Sequence, residues 1–298
     1  MNQKSTSRDL ILATLHKRNF DAVAPFVLSL KRTGFQGRAV IFASRVDAES
    51  QDKMRKNGIT VIPFLFHGKR DRQRLARLWL LWRWYFATKA SPAAKAWLAH
   101  RVFHLRYRRY LLYTEYLRQE SANYDRILLA DTTDIFFQAD PFSWNLTPGV
   151  HFFMEDDRQV IGNCRLHRLW LTHQFGPEFL EAHAGKNISC SGTTFGDTTS
   201  IQKYLEVMIA TIMKARNLAK IAGGDQGIHN YVLIQKLLKN IIVHGNQRGP
   251  VLTMGVMDPG RLRMDNRGAV LNETGEFVPV LHQYDRHANL KERLHAGL

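Results

Sequence analysis

Short apolar runs divided by charged stretches recur along the first part of the chain. Leu10-Ile11-Leu12-Ala13-Thr14-Leu15 gives way to His16-Lys17-Arg18-Asn19, and Ala39-Val40-Ile41-Phe42-Ala43 and Ile59-Thr60-Val61-Ile62-Pro63-Phe64 follow. Runs this short with polar bounds predict buried strands. Between them, Val23, Phe26, Val27 and Leu30 recur at helical spacing behind Asp21, a predicted N-cap, up to Gly34. Residues 47–56 predict a second, polar helix stopped by Asn57-Gly58. Strands alternating with helices predict an α/β layer fold around a parallel sheet. Ligands of such sheets bind beyond the carboxyl ends of the strands, which places Thr14, His16, Asn19 and Asp131 at one rim. No Gly-rich phosphate fingerprint follows the first strand, which argues against a dinucleotide site.

Further on, YDRILLADTTDIFFQADPF at 124–142 holds a fourth strand-like run, Ile127-Leu128-Leu129-Ala130, and a second run, Ile135-Phe136-Phe137. Val150-His151-Phe152-Phe153-Met154 ends in Glu155-Asp156-Asp157. Residues 188–195 form a strand of small residues where a ligand or a second backbone can approach closely. Residues 199–219 predict a long amphipathic helix, and Gly223-Gly224-Asp225-Gln226-Gly227 opens another. Val278-Pro279-Val280-Leu281 precedes His282-Gln283-Tyr284-Asp285-Arg286-His287.

The alternation breaks over residues 67–120. Lys69, Arg70, Arg72, Arg74, Arg77 and Arg83 mix there with Leu78, Trp79, Leu80, Leu81, Trp82, Trp84, Tyr85 and Phe86. Residues 68–90 fit an interfacial segment whose apolar face enters a headgroup boundary while its arginines meet anionic lipid. They equally fit an inserted helical pair packed on the sheet. With no repeat or linker, residues 1–298 read as one domain with a helical insertion at about 67–118.

The net charge of +16 favours an anionic partner: a phosphorylated substrate, an acidic membrane face or nucleic acid. The charge is not accompanied by a nucleic-acid recognition module, so that class is disfavoured. Two cysteines give no disulfide framework, and MNQKSTSRDL lacks the apolar core of a signal peptide. The expected location is therefore the cytoplasm, at the inner membrane face if the basic segment binds lipid. His151, His167, His173 and His183 do not form a zinc pattern, and no Gly-x-Ser-x-Gly elbow occurs.

Chemistry concentrates at Asp131 and Asp134. Carboxylates beside a buried strand are costly unless a cation compensates them. A bound metal or cationic ligand fits, and so does a solvated turn with Asp and Thr as turn residues. Asp225 fits an N-cap as well as a reactive acid. Glu155 and Asp156 suit either a turn after a strand or contact with an acceptor.

Taken in order, these motifs resemble the GT-A class of nucleotide-sugar glycosyltransferases. The βαβαβ opening, with Ala13 and Thr14 at its first strand end, is similar to that class's nucleotide-binding half. Arg109-Tyr110-Leu111-Leu112 before an acid-tipped strand resembles the glycogenin and bacterial galactosyltransferase group. Asp225-Gln226 with Asn230 resembles its D-Q-x-x-x-N element, and His282 its C-terminal metal-binding histidine. DTTDIFFQADPF and LHQYDRH look closer to a bacterial and plant branch with a D-x-x-D motif.

The resemblance implies a GT-A fold, a Rossmann-like mixed sheet flanked by helices. It implies Mn²⁺ or Mg²⁺ held by Asp131, Asp134 and His282, and Asp225 with Gln226 beside the reacting sugar. A nucleoside-diphosphate sugar would be bound by Ala13, Thr14, Asn19, Arg109, Ser191 and Gly192. Arg109 would bind a phosphate or brace the acids. Charge, rather than any motif, points to a saccharide or lipid-linked saccharide acceptor. The same site would suit a metal-dependent nucleotidyltransferase or nucleotide-sugar hydrolase. A basic membrane- or polyanion-binding protein with a decayed site is the non-enzymatic alternative.

One departure stands out: the class motif is D-x-D, and Thr133 occupies the place of its second acid. On extended backbone, residues i and i+3 face opposite ways. Asp131 and Asp134 therefore share one cation only if Thr132-Thr133 turns the chain; otherwise one acid binds metal and the other holds the ribose, Arg109 or the backbone.

Overall fold

The computed structural model describes residues 8–66, 99, 101, 103–216 and 224–298. The segment 68–90, expected to meet anionic lipid, lies outside them, as do the final three residues of the helix predicted to reach Ala219. In chain order the strands are β1 (Asp9–His16), β2 (Arg38–Ser44), β3 (Ile59–Pro63), β4 (Arg126–Ala130), β5 (Ile135–Phe137) and β6 (Val150–Met154). They continue with β7 (Ser189–Asp197), β8 (Ile241–His244), β9 (Val251–Thr253), β10 (Arg263–Met264), β11 (Val270–Leu271) and β12 (Val280–His282). The α-helices are α1 (Phe20–Arg32), α2 (Ala48–Lys56), α3 (Leu105–Glu120), α4 (Arg165–Phe175) and α5 (Pro177–His183). After them come α6 (Thr198–Lys214), α7 (Asp225–Ile234) and α8 (Ala288–Ala296).

Among the described residues, seven strands form a mixed sheet in the order β3-β2-β1-β4-β7-β6-β8. β1 to β4 run parallel, β7 runs antiparallel between β4 and β6, and β8 pairs parallel with β6. The sheet is thus Rossmann-like and mixed, and helices cover both faces. Alternate residues of β1 serve opposite faces, as extended backbone requires. Leu10 and Leu12 pack with Tyr107, Tyr110 and Tyr113 of α3, Tyr204 and Met208 of α6 and Ile228 of α7. Ile11, Ala13 and Leu15 pack with Val23, Phe26 and Leu30 of α1 and Met54 of α2.

Residues 105–118, part of the segment read as an insertion, form most of α3, and this helix belongs to the core layer. Its Tyr107, Tyr110, Tyr113 and Leu117 are buried. Helix caps follow side-chain chemistry with one correction. Asn19, not Asp21, is the N-cap of α1: its Oδ1 accepts from Ala22 N at 3.3 Å. Asp21 falls in the first turn, where a negative charge favours the helix dipole. Asp47 caps α2 by accepting from Ser50 N at 2.7 Å.

Two features position the site. The reversed β7 brings its first residues beside the carboxyl end of β4: Ala130 is in register with Thr193, and Asp131 N donates to Gly192 O at 2.8 Å. A smaller sheet, β5-β12-β9, stands against this rim and sets Ile135 opposite His282. At the opposite end of β4, Arg126 grips Asp9 of β1 through two bonds of 2.7 and 2.8 Å. No helix among the described residues is long and apolar enough to cross a membrane.

Candidate metal centre

Beyond β4 the chain bends over residues 132–134 before entering β5. Thr132 Oγ1 donates to Thr14 O at 3.0 Å, tying the bend to the end of β1. Gln283 N donates to Asp134 O at 2.7 Å and ties its other side to the residue after β12. The intervening threonines thus make the turn that the D-x-x-D spacing demanded. Ligand atoms of Asp131, Asp134 and His282 all lie within 4.8 Å of one another.

The three side chains fit a divalent cation on their own chemistry. His282 is fully buried, yet neither of its ring nitrogens has a hydrogen-bond partner, and neither does Asp134 Oδ1. Buried polar atoms are seldom left unpaired, because each forfeits its hydration without return. His282 Nε2 and Asp134 Oδ1 stand 3.9 Å apart, too far for a hydrogen bond. Oxygen ligands sit about 2.0–2.6 Å from Mg²⁺ or Ca²⁺, so atoms sharing one ion lie roughly 3–5 Å apart. Burial, with Asp131 and Asp285 nearby, raises the pKa of Asp134. A cation there would relieve that penalty.

Asp131 divides its two oxygens. Oδ1 accepts from Arg109 Nη1 at 2.5 Å, while Oδ2 faces the cluster, only 2.8 Å from where a Cβ on Gly192 would stand. The same Cβ would lie 2.4 Å from His282 Nε2, so any side chain at residue 192 would fill the cradle. Burial alone would raise the pKa of Asp131, but Arg109 and then His282 outweigh it and hold it low.

Arg109 is the hub of the wall. Its Nη2 donates to Asp225 Oδ2 at 2.7 Å and to Ser191 O at 3.0 Å, with Ser191 Oγ at 3.4 Å. Burial would lower its pKa, but Tyr110, Asp225 and Asp131 hold it well above the ordinary arginine value. Arg109 therefore joins Asp131 to Asp225. Asp225 is 3% exposed and faces the guanidinium and Tyr110. It opens α7 behind an N-cap at Gly224, so it is a first-turn residue rather than the cap.

Gln226 turns the other way: its Nε2 donates to Glu155 Oε1 at 2.6 Å and lies 3.3 Å from His167 Nε2. Cys190 Sγ stands 3.7 Å from Gln226 Oε1 and 3.9 Å from Gln283 Nε2. Of the residues expected to bind the donor, Ala13 is buried in the core, Thr14 joins the bend through its carbonyl, and Asn19 is committed to capping α1. Past Glu155, an open cavity of about 520 Å³ is lined by Asp156, Arg158, Asn163 and Asp258, among others.

Sequence reasoning singled out Thr132 for the turn but missed Tyr110 and Cys190 as parts of this wall. No protein-family model and no curated protein sequence matches the chain.

Proposed function

We propose that the protein is a metal-dependent glycosyltransferase of the GT-A type, transferring a sugar from a nucleoside-diphosphate sugar to a hydroxyl of a saccharide or lipid-linked saccharide. The observation that carries this reading is the Asp131–Asp134–His282 cluster, with its unpaired buried atoms, at the carboxyl-end rim of a Rossmann-like sheet. An oxygen-rich donor set with one imidazole suits Mn²⁺ or Mg²⁺, and the histidine favours Mn²⁺. When bound, the cation supplies positive charge against the departing diphosphate.

The chain's own residues set the rest. Arg109 fixes Asp131 by a charged hydrogen bond and stays ionised because it is paired on both sides. Asp225 acts through Arg109 as a buried counterion. The rim around Thr14 and Asn19 is the expected seat of the nucleotide, and Ser191 with Gly192 of the sugar. Residues 68–90 would hold the enzyme against an anionic membrane, near a lipid-linked acceptor.

The test is nucleotide binding with and without Mn²⁺. Ligands that bind only the folded state raise its melting temperature by mass action. One of UDP, GDP or CDP should stabilise the protein in Mn²⁺ and not in EDTA, and Asp131→Ala should remove the effect. If none of them does so and no nucleotide sugar is turned over, the reading fails.

A further inference from the structure

Outside the Asp131–Asp134–His282 cluster, four carboxyl side chains are buried among the described residues, and three lie against an arginine. Asp9 pairs with Arg126, Asp156 with Arg158 and Arg261, and Asp225 with Arg109. Glu155 is the fourth. It is 7% exposed, and no cationic side chain among the described residues pairs with it. Its bond from Gln226 is a neutral amide donation, which compensates a buried carboxylate only in part.

Its place is as telling as its pairing. β6 is antiparallel to β7, which is antiparallel to β4, so the end of β6 lies at the same rim as Asp131. Glu155 follows β6 directly, and its backbone N donates to Ile188 O at 2.8 Å. Cys190 lies between Gln226 on the Glu155 side and Gln283 beside His282. The other buried acids at this rim are already engaged, Asp225 by Arg109 and Tyr110 and Asp156 by Arg158 and Arg261.

We propose that Glu155 is a catalytic residue that takes the proton of the acceptor hydroxyl, and that Gln226 is the positioning residue that aims its carboxylate. The assignment rests on the transferase reading. As the acceptor oxygen bonds to the anomeric carbon, the bond from that carbon to the diphosphate oxygen breaks and its electron pair leaves with the diphosphate. The hydroxyl proton passes to Glu155. Burial raises the Glu155 pKa, opposed by the Gln226 amide, which moves the carboxylate toward the range where a general base works best. Gln226 is itself fixed at its backbone: Asn230 Nδ2 donates to its main-chain carbonyl at 2.8 Å, and Asn230 also pairs with both backbone groups of Ser189.

The experiment uses the full chain with Mn²⁺, first measuring melting shifts with UDP, GDP and CDP, then turnover of the matching nucleotide sugar. Glu155→Gln should lower transfer by about 100- to 10,000-fold while the nucleotide-induced shift stays at the wild-type value. Formate should restore part of the activity of Glu155→Ala, an effect that a merely structural glutamate would not give. Gln226→Leu should lower kcat with the donor KM unchanged and move the acid limb of the pH profile upward, because the amide's support of the carboxylate is gone. Transfer by Glu155→Gln within about threefold of wild type overturns the assignment. So does a loss of transfer matched by an equal loss of nucleotide binding. A wild-type protein that binds no nucleoside diphosphate overturns the transferase reading and this assignment with it, and is recognised because the binding step already fails.

Discussion

Two buried histidines, His229 and His282, are equally sealed from solvent, and their surroundings are opposite. His229 Nδ1 meets Tyr204 Oη at 2.8 Å and its Nε2 meets Ser189 Oγ at 3.0 Å, while the ring stacks on Phe152. Ser189 Oγ donates onward to Phe153 O, so a neutral ring with its proton on Nε2 satisfies every member. His282 has neither nitrogen paired, and the nearest acid oxygen is likewise unpaired. Burial does not separate these two rings; completeness of hydrogen bonding does. A closed polar network specifies the fold, whereas an open one marks where something else binds.

The sharpest way to break the contrast is to remove a ligand from the open cluster. Asp134→Ala or His282→Ala should abolish Mn²⁺-dependent stabilisation and lower transfer by at least about 1,000-fold, roughly 4 kcal/mol of barrier. Asp134→Asn, measured without metal, should melt at or above wild type, since burial and Asp131 penalise the carboxylate there. A clear drop in its metal-free melting temperature would mean that the cluster is scaffold after all.

The closed network should respond the other way. His229→Leu leaves Tyr204 and Ser189 without their shared partner and should cost about 2–4 kcal/mol in urea unfolding. The folded fraction should still bind Mn²⁺ with wild-type affinity. Parallel loss of stability and metal binding would show that the two clusters are one.

Acid probes the same network more gently. Burial lowers the His229 pKa from 6.5 to about 3, with Arg109 adding to the effect. Between those values the unfolded chain takes a proton that the folded ring refuses, so ν in the unfolded state is larger and stability rises with pH. The contribution is intact above about pH 6.5 and is lost toward pH 3, at about 1.4 kcal/mol per pH unit. Denaturant midpoints from pH 7 to 5 should fall steadily in wild type, and the slope should flatten in His229→Gln. An unchanged slope would assign the acid sensitivity elsewhere, His167 being next because burial lowers its pKa to about 4.

What the sequence disclosed follows from what local pattern can encode. β1 to β4 were legible because apolar runs bounded by charge leave few alternatives to a buried strand, and Asp131 followed as the residue at the end of one. The direction of β7 was not legible, since Ser-Cys-Ser-Gly-Thr-Thr carries no mark of parallel or antiparallel pairing. Arginines obscure the core face of α3, so its pattern reads as an insertion, and Arg109 is buried only because two acids distant in sequence meet it. That Glu155 meets the Gln226 amide, and no arginine among the described residues, is also a tertiary fact. Sequence points to Asp21 rather than Asn19 as the cap because helix boundaries are fixed only loosely by local pattern.

The smallest effect tests the turn on which the open cluster depends. Thr132 is 5% exposed, and its hydroxyl donates to Thr14 O across the end of β1. Thr132→Val keeps the volume and removes the donor, so the fold should lose about 1 kcal/mol. The bend retains its other ties, Asp131 N to Gly192 O and Gln283 N to Asp134 O, both backbone bonds that the substitution leaves in place. Mn²⁺ affinity should therefore weaken by about 10-fold, within the range for groups that orient metal ligands, rather than vanish. Titration of Mn²⁺ by calorimetry reads this directly. Unaltered affinity would mean that the two backbone ties alone set the spacing of Asp131 and Asp134, and complete loss would mean that the Thr132 hydroxyl is what makes D-x-x-D serve as a metal motif.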